Sequence, residues 1–151
     1  MRLATKPDID HIRPIVDEAL FPGEMLDGLI EPFFSDLSSP DLWFVYEDEP
    51  NQAPLGVAYC THERMTNGTW NLLAIAVAKN QRSKGIGQRI MSFLESELRA
   101  RGARVLIVDT SGLPEYERTR RFYQGLGYVE EARIRDFWDA GDDKVTYYKA
   151  L

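Results

Sequence analysis

Residues 81–87 (Gln-Arg-Ser-Lys-Gly-Ile-Gly) combine two glycines with two basic side chains in a short segment. The segment follows an apolar run, Trp70–Val77, that predicts a buried strand, and it precedes a helical pattern. The first N–H groups of a helix have no partner within the helix, and the helix dipole adds positive potential there. Since glycines also allow close approach to the backbone, this turn is predicted to bind an anion such as a pyrophosphate. An ordinary strand-to-helix turn is the alternative.

The turn differs from the two most common phosphate-binding loops. In the P-loop the lysine follows the glycines, whereas Lys84 precedes Gly85 here. The dinucleotide-binding pattern requires a third glycine, but Gly87 is followed by Gln-Arg-Ile. Both of those loops follow early strands of parallel sheets, whereas this turn follows a predicted hairpin strand. A nucleotide-binding domain is therefore the weaker interpretation.

The elements that position the turn are predicted from hydrophobic period and turn residues. A short strand at 2–5 precedes a helix that Asp8 is predicted to cap and that carries Ile12, Ile15, Val16 and Ala19, with Pro14 inside it. A second, proline-interrupted helical pattern, strands at 42–47 and 55–61, and a hairpin turn at 66–69 lead to the strand at 70–77.

The second half of the chain continues this alternation. It predicts a helix at about 87–101 ending at Gly102, an apolar strand at 105–109, a helix from about Tyr116 to Gln124, and strands at 128–135 and 144–151 around a turn at 139–143. The order β-α-α-β-β-β-α-β-α-β-β predicts a mixed sheet with helices on its faces, α/β in the broad sense and often classed as α+β. The length of 151 residues predicts one domain, residues 1–151.

The composition indicates a soluble globular protein, with 44% hydrophobic and 11% aromatic residues. No apolar run approaches the ~20 residues that span a bilayer, and the polar first residues do not resemble a secretory signal. Cys60 is the single cysteine, so no intrachain disulfide forms. A cytoplasmic location without a membrane partner is therefore predicted.

The charge balance argues against general nucleic-acid binding. With 18 basic and 24 acidic residues the formal net charge is −6, and nucleic-acid affinity depends largely on neutralising phosphates. Residues 79–89 nevertheless carry basic side chains and no acid, so the proposed anion site is locally positive. His11 and His62 lack the spacing of metal ligands, so no metal is expected. Cys60 is interpreted as a buried small residue rather than a nucleophile.

Two segments of the chain together resemble the GNAT superfamily of N-acetyltransferases. Residues 82–87 match that family's acyl-CoA-binding motif, R/Q-x-x-G-x-G/A, with Ile75-Ala76-Val77 in its usual place on the strand before. Residues 119–128 resemble the family's second signature, (N)-x-x-A-x-x-F-Y-x-x-x-G-F/Y. The order of elements also fits, so the resemblance covers essentially the whole chain. It implies a mostly antiparallel sheet of about seven strands with helices on both faces.

The resemblance implies acetyl-CoA as co-substrate. The pyrophosphate would bind backbone N–H groups of about residues 83–88. The strand at 70–77 would splay from the strand at 105–109, and the pantetheine arm would pair with backbone groups near Ile75–Val77 as an added strand. A backbone N–H there would stabilise the oxyanion. The implied binding residues are Ile75, Ala76, Val77, Arg82, Ser83, Lys84, Gly85, Ile86, Gly87, Gln88, Thr119 and Tyr123.

Tyr123 is the candidate catalytic residue. When an amine attacks the acetyl carbon, sulfur leaves as a thiolate, and a tyrosine with a pKa of ~10 is neutral at physiological pH and can donate a proton to it. Helical spacing places Thr119 and Tyr123 on one face. An aromatic core residue whose hydroxyl bonds a carbonyl is the alternative.

The chain departs from the second signature at two positions. Tyr116 stands where the family has Asn, and Thr119 stands where it has Ala. The side-chain hydrogen bond to pantetheine is therefore in question, and hydroxyls of Thr119, Thr110 or Ser111 are the candidates to replace it.

The general base is not assigned by the sequence. Many family members place a glutamate on the central strand, but residues 70–77 contain no acid. His62, Glu63, Glu24 and Glu31 are the candidates, and ordinary surface roles for them or a chain of water molecules are the alternatives.

The predicted function is transfer of an acetyl group from acetyl-CoA to a small-molecule or peptide amine by direct attack. A non-catalytic acyl-CoA-binding sensor or interaction module of the same fold is the alternative. The segments 21–34 and 137–143 are expected to shape the acceptor pocket, and their acidic residues hint at a cationic amine. A homodimer is possible because dimers are common in the family.

Overall fold

The structure of the protein is a computed structural model that describes residues 1–36 and 38–151. The strands of its sheet are β1 (Arg2–Leu3), β2 (Asp41–Tyr46), β3 (Gly56–His62), β4 (Thr69–Val77), β5 (Val105–Ser111), β6 (Val129–Asp139) and β7 (Asp142–Ala150). The α-helices are α1 (Ile9–Ala19), α2 (Leu26–Ser35), α3 (Ile86–Ala100) and α4 (Glu117–Gly125). Their order along the chain confirms the predicted one.

The seven strands form one sheet in the order β1-β2-β3-β4-β5-β7-β6. Neighbouring strands are antiparallel except for β4 and β5, which run parallel. The predicted mixed, mostly antiparallel sheet is therefore confirmed. The helix α3 lies between the two parallel strands in sequence, because a parallel pair requires a long crossover connection.

Helices cover both faces of the sheet, as predicted. Alternate residues of β2 point to opposite faces, so Trp43 packs with the α1 and α2 residues while Phe44 packs with those of α3 and α4. The apolar stripe of α3 is fully or almost fully buried at Ile86, Ile90, Leu94 and Leu98. Each core therefore fixes one pair of helices against the sheet.

Asp8 occupies the N-cap position of α1, but its carboxylate does not cap that helix. It accepts hydrogen bonds from the backbone N–H of Thr5 at 2.7 Å and from both terminal nitrogens of Arg2 at 2.6 and 2.9 Å. The helix continues through Pro14. The carboxylate thus fastens β1 to the start of α1.

The strands β4 and β5 separate halfway along their length. They pair only from Thr69 with Val105 to Leu72 with Val108. The register between β3 and β4 shifts at the next residue, Leu73, which is the extra residue of a bulge. Beyond the bulge β4 pairs with β3 alone and β5 with β7 alone. A wedge therefore opens between the carboxyl ends of the two strands.

Among the described residues, no helix is both long and apolar enough to cross a membrane.

Candidate functional site

The turn before α3 exposes a row of backbone donors. Ser83 and Gly85 have positive φ angles of 65° and 79°, which turn the chain sharply before the helix begins at Ile86. The first helical hydrogen bond runs from the Arg89 N–H to the Gly85 carbonyl at 3.1 Å. The N–H groups of residues 83–88 donate to no acceptor in the described part of the chain. These donors form an anion site at a helix N-terminus.

The two glycines of the turn serve different purposes. Gly85 has open space beside it, and its positive φ explains the absence of a side chain. Gly87 lies against the ring of Phe122 of α4. A Cβ atom at this position would approach the ring Cζ to 3.3 Å, which is a tight contact. The second glycine therefore lets α3 and α4 approach each other at the mouth of the wedge.

Two arginines frame the turn, and together with its backbone they line a cavity of about 300 Å³. Arg82 Nε donates to the Val77 carbonyl at 3.0 Å, and Arg118 Nη2 donates to Ser83 Oγ at 3.0 Å. The Lys84 side chain instead donates to Gln81 and lines none of the cavities at the site. Positive charge at the turn therefore comes from Arg82 and Arg118, and Lys84 is placed to contribute its backbone N–H.

The wedge holds two adjoining cavities. The turn-side cavity, of about 410 Å³, is lined by Glu18, Ala19, Ile75, Ala76, Val77, Arg82, Gly87, Arg118, Thr119, Phe122 and Tyr123. The hairpin-side cavity, of about 450 Å³, is lined by Ala19, Leu20, residues 72–75 and 108–111, Tyr116, Thr119, Tyr123, Trp138 and Asp142. Ile75, Thr119 and Tyr123 line both, so the two cavities meet at these side chains.

Tyr123 lies at the junction of the two cavities. Only 3% of the residue is exposed, and its ring packs against those of Phe122, Tyr128 and Tyr147 with centroids 5.4–5.8 Å apart. Burial raises the pKa of its hydroxyl, so the group stays protonated at physiological pH. No other described residue forms a hydrogen bond with this hydroxyl. It is therefore a proton donor without a partner inside the protein.

The three hydroxyls considered as substitutes for the missing Asn differ in availability. Ser111 Oγ donates to Asp142 at 2.6 Å and accepts from the Leu113 N–H at 3.0 Å. The hydroxyls of Thr110 and Thr119 form no hydrogen bond within the described residues, and both residues line the hairpin-side cavity. Thr110 and Thr119 can therefore bond a ligand without breaking an internal contact.

The candidate general bases of the sequence lie elsewhere. His62 packs edge-on against Trp70, where β4 still pairs with β5, and Glu63 accepts a hydrogen bond from Asn71 at 2.9 Å. Neither they nor Glu24 and Glu31 line either cavity. These four assignments are therefore not supported by the geometry. His62 and Glu63 lie near the end of β4 opposite to the wedge.

The acids that line the cavities are Glu18, Asp109 and Asp142. Glu18 and Asp109 were not among the candidates predicted from the sequence. Asp142 was considered only together with the other acidic residues of the segment 137–143. A signal was available for Asp109, which stands at the carboxyl end of a strand predicted to flank the wedge. Asp142 had no such signal, because the hydrogen bond to Ser111 that positions it spans distant parts of the chain.

Neither a metal centre nor a reactive thiol is found at the site. In residues 1–36 and 38–151, no cluster of His, Cys, Asp and Glu side chains is arranged to hold a metal ion. Cys60 is fully buried, which confirms its predicted role, and burial raises the pKa of its thiol to about 12.

Comparisons with known proteins agree with this geometry. Residues 39–130 match the family model of the acetyltransferase (GNAT) domain. The structure of a Desulfovibrio desulfuricans protein assigned to the GNAT family of acetyltransferases has a TM-score of 0.90 at 27% identity, covering 99% of this chain and 96% of that one. None of the curated proteins compared with the chain is significantly similar to it in sequence.

Two more distant structures share the fold. An aminoglycoside 6′-N-acetyltransferase complexed with coenzyme A has a TM-score of 0.80 at 16% identity, covering 97% of this chain and 92% of that one. The ribosomal-protein-S18-alanine N-acetyltransferase from Escherichia coli has a TM-score of 0.75 at 18% identity, covering 99% and 91%. These proteins bear the same arrangement of sheet and helices.

Proposed function

Since the chain belongs to the GNAT family of acetyltransferases, we propose that it transfers an acetyl group from acetyl-CoA to an amine by direct attack. The observation that carries the proposal is the wedge that opens beyond Leu72, with the unbonded hydroxyl of Tyr123 at the junction of its two cavities. A donor entering from one side and an acceptor entering from the other would meet at that hydroxyl.

The CoA pyrophosphate is proposed to bind at the turn before α3. The unpaired N–H groups of residues 83–88 supply several hydrogen bonds directed at one place, and the helix dipole favours negative charge there. Arg82 and Arg118 line the same cavity and add charge. A structure with the same fold was determined in complex with coenzyme A, which supports the choice of ligand.

The pantetheine arm is proposed to occupy the turn-side cavity. Beyond Leu72 the β5-facing edge of β4 has no strand partner, so its backbone groups at Ile75–Val77 can pair with the amides of the arm as an added strand does. A backbone N–H at this edge would then hold the thioester oxygen and stabilise the negative charge that develops on it.

The chemistry of transfer requires one proton to move from nitrogen to sulfur. A neutral amine attacks the acetyl carbon, the N–C bond forms, the C–S bond breaks, and the products are an acetamide and the free thiol of CoA. Because the pKa of Tyr123 is raised, a lasting tyrosinate is unfavourable. Tyr123 therefore donates its proton to sulfur as it regains one from the attacking nitrogen, directly or through water.

Release of CoA thiol from acetyl-CoA tests the proposal when it is measured over a panel of primary amines. The expected result is a release rate that depends on the amine, together with a product heavier than the amine by one acetyl group in mass spectrometry. Thiol release that is equal with and without every amine would overturn transfer and leave binding alone. The alternative of a binding module without turnover predicts that outcome.

A further inference from the structure

The two cavities of the wedge carry opposite charge. The turn-side cavity is lined by Arg82 and Arg118 with a single acid, Glu18. The hairpin-side cavity is lined by Asp109 and Asp142 and by no lysine, arginine or histidine. Carboxylates on this wall favour a cation over an anion in the acceptor.

Asp109 already has its charge compensated within the protein. Lys144 Nζ lies 3.2 Å from one of its carboxylate oxygens, and Thr146 Oγ1 donates to the other at 2.6 Å. Lys144 also lies over the ring of Phe137, 4.2 Å from its centroid. The carboxylate of Asp109 is thus occupied from both sides.

Asp142 is fixed in place by hydrogen bonds to one of its carboxylate oxygens. Its Oδ1 accepts hydrogen bonds from Ser111 Oγ at 2.6 Å and from the Gly112 N–H at 3.2 Å. Its Oδ2 has no donor within the described residues, and no lysine or arginine there forms an ion pair with it. The Oδ2 oxygen is therefore a fixed hydrogen-bond acceptor, and the carboxylate presents its negative charge to the cavity.

Asp142 lines only the hairpin-side cavity, whereas Tyr123 lines both cavities. Tyr123 packs against Tyr147, with ring centroids 5.8 Å apart, and Asp142 lies at the far end of the same strand. At ~3.3 Å per residue Asp142 and Tyr147 are about 16 Å apart along β7. This offset along β7 favours contact of Asp142 with a second group of the acceptor.

The wall of the hairpin-side cavity offers further unoccupied contacts. Trp138 and Tyr116 line it while 50% and 43% exposed, so part of each side chain is accessible to a ligand. Aromatic faces attract ammonium groups, and tryptophan does so best. Thr110 also lines the cavity, and this residue is 8% exposed with a hydroxyl that no described residue bonds. These observations point to an organic cation and not to a simple counter-ion.

We propose that the acceptor is a linear amine with a second ammonium group, which Asp142 binds beside the indole of Trp138 while the first nitrogen is acetylated at Tyr123. This inference rests on the proposed function and specifies its substrate class. The distance between the two sites favours diamines whose chains are long enough to reach from one to the other.

Acetylation rates of linear diamines and of linear monoamines with the same chain lengths test the substrate class. We expect kcat/KM to be at least about tenfold higher for a diamine of matching length than for the monoamine, a difference typical of one ammonium–carboxylate contact. In Asp142→Asn, whose amide oxygen can still accept from Ser111 and Gly112, the diamine preference should disappear. Asp139→Asn, on the same hairpin but outside the cavity, should retain it.

Binding of both series to the CoA complex, measured by calorimetry, separates this inference from the proposed function. Tighter binding of diamines that Asp142→Asn abolishes supports the inference even without thiol release, and absence of release would then refute transfer alone. Equal affinity for diamines and monoamines, or a diamine preference that survives Asp142→Asn, would overturn the inference while leaving acetyl transfer in place.

Discussion

Leu72 of β4 pairs with Val108 of β5, and this is the last pair that the two parallel strands form. The bulge at Leu73 follows directly and turns β4 away from its neighbour. Before this pair along the chain the two strands are paired with each other, and after it each strand has a free edge. The proposed donor and acceptor paths both run along these free edges, so one irregularity in a strand creates the site.

Replacing Tyr123 by Phe removes the only group proposed to donate a proton. We expect kcat to fall by about 10²-fold or more, the usual contribution of a general acid, with little change in the Kd for acetyl-CoA. Steady-state thiol release and calorimetry measure the two quantities. An unchanged kcat would remove Tyr123 from the mechanism without refuting acetyl transfer.

Tyr128→Phe is the matched control for that substitution. Tyr128 packs against Tyr123, but its hydroxyl donates to Glu95 at 3.0 Å and the residue lines neither cavity of the wedge. Its removal should lower the free energy of unfolding by about 1 kcal/mol and leave kcat for the folded enzyme within about twofold. A matching loss of kcat in both variants would indicate disturbed packing instead of lost chemistry.

Arg118→Ala should weaken acetyl-CoA binding. The side chain reaches from α4 to Ser83 and lines the candidate anion site, so its loss removes a cation from beside the proposed position of the pyrophosphate. We expect the Kd to rise about tenfold at low salt, and by less at high salt because ions screen the exposed charge. Arg121→Ala, which removes an exposed cation paired with Glu117 on the same helix, should leave the Kd unchanged.

The buried carboxylate of Glu95 should matter for stability. Lys149 Nζ lies 2.8 and 2.9 Å from its two oxygens, and the Tyr128 hydroxyl donates to it as well. Glu95→Ala leaves the Lys149 ammonium without an anion, with only the Leu126 carbonyl still accepting from it, so we expect a loss of about 3 kcal/mol in urea unfolding. Glu97→Ala breaks an exposed pair on the same helix and should cost less than about 1 kcal/mol. Equal losses of unfolding free energy in the two variants would contradict the prediction that the buried pair matters more than the exposed one.

Acid should weaken the attachment of β1 to α1. The hydrogen bonds from Arg2 lower the pKa of Asp8 from 3.8 to about 2. Because the pKa of Asp8 is lower in the folded state than in the unfolded state, its ionised carboxylate stabilises the fold above the unfolded-state pKa. This stabilisation is lost as the pH falls from about 4 to about 2. The contribution is at most about 2 kcal/mol, since Arg2 is one-third exposed and solvent screens the pair.

Unfolding of the parent chain and of Asp8→Asn across this pH range checks the prediction. The difference in their free energies of unfolding should shrink as the pH falls. A difference that is constant with pH would show that the Asp8 carboxylate contributes no charge-dependent stability. Asp10→Asn, at a position without an ion pair to another described residue, serves as the control.

Much of the fold could be predicted because its signals are local. The helical period of α3, the apolar run of β5 and the glycine turn between β4 and α3 each lie within one short segment. The bulge at Leu73 left no such signal, because it depends on how β3 and β4 pair. β6 also extends past its predicted end at Arg135, since a register shift and the positive φ of Asp136 let the strand continue.

The acceptor side of the site was hidden from sequence reasoning for a similar reason. Asp142 and Ser111 are distant in the chain and meet only when β5 pairs with β7. The donor side was more accessible, because the unpaired N–H groups of residues 83–88 follow from a helix start and a glycine turn alone. A site built by one segment can be predicted, whereas one assembled across the sheet requires the structure.

A crystal structure of the protein with bound CoA would test where the acetyl donor binds. We expect pyrophosphate oxygens about 3 Å from backbone nitrogens of residues 83–88, and the CoA sulfur within hydrogen-bond reach of the Tyr123 hydroxyl. The pantetheine arm should lie along the free edge of β4. CoA bound away from the wedge, or a sulfur remote from Tyr123, would refute the proposed binding mode and the proposed role of Tyr123.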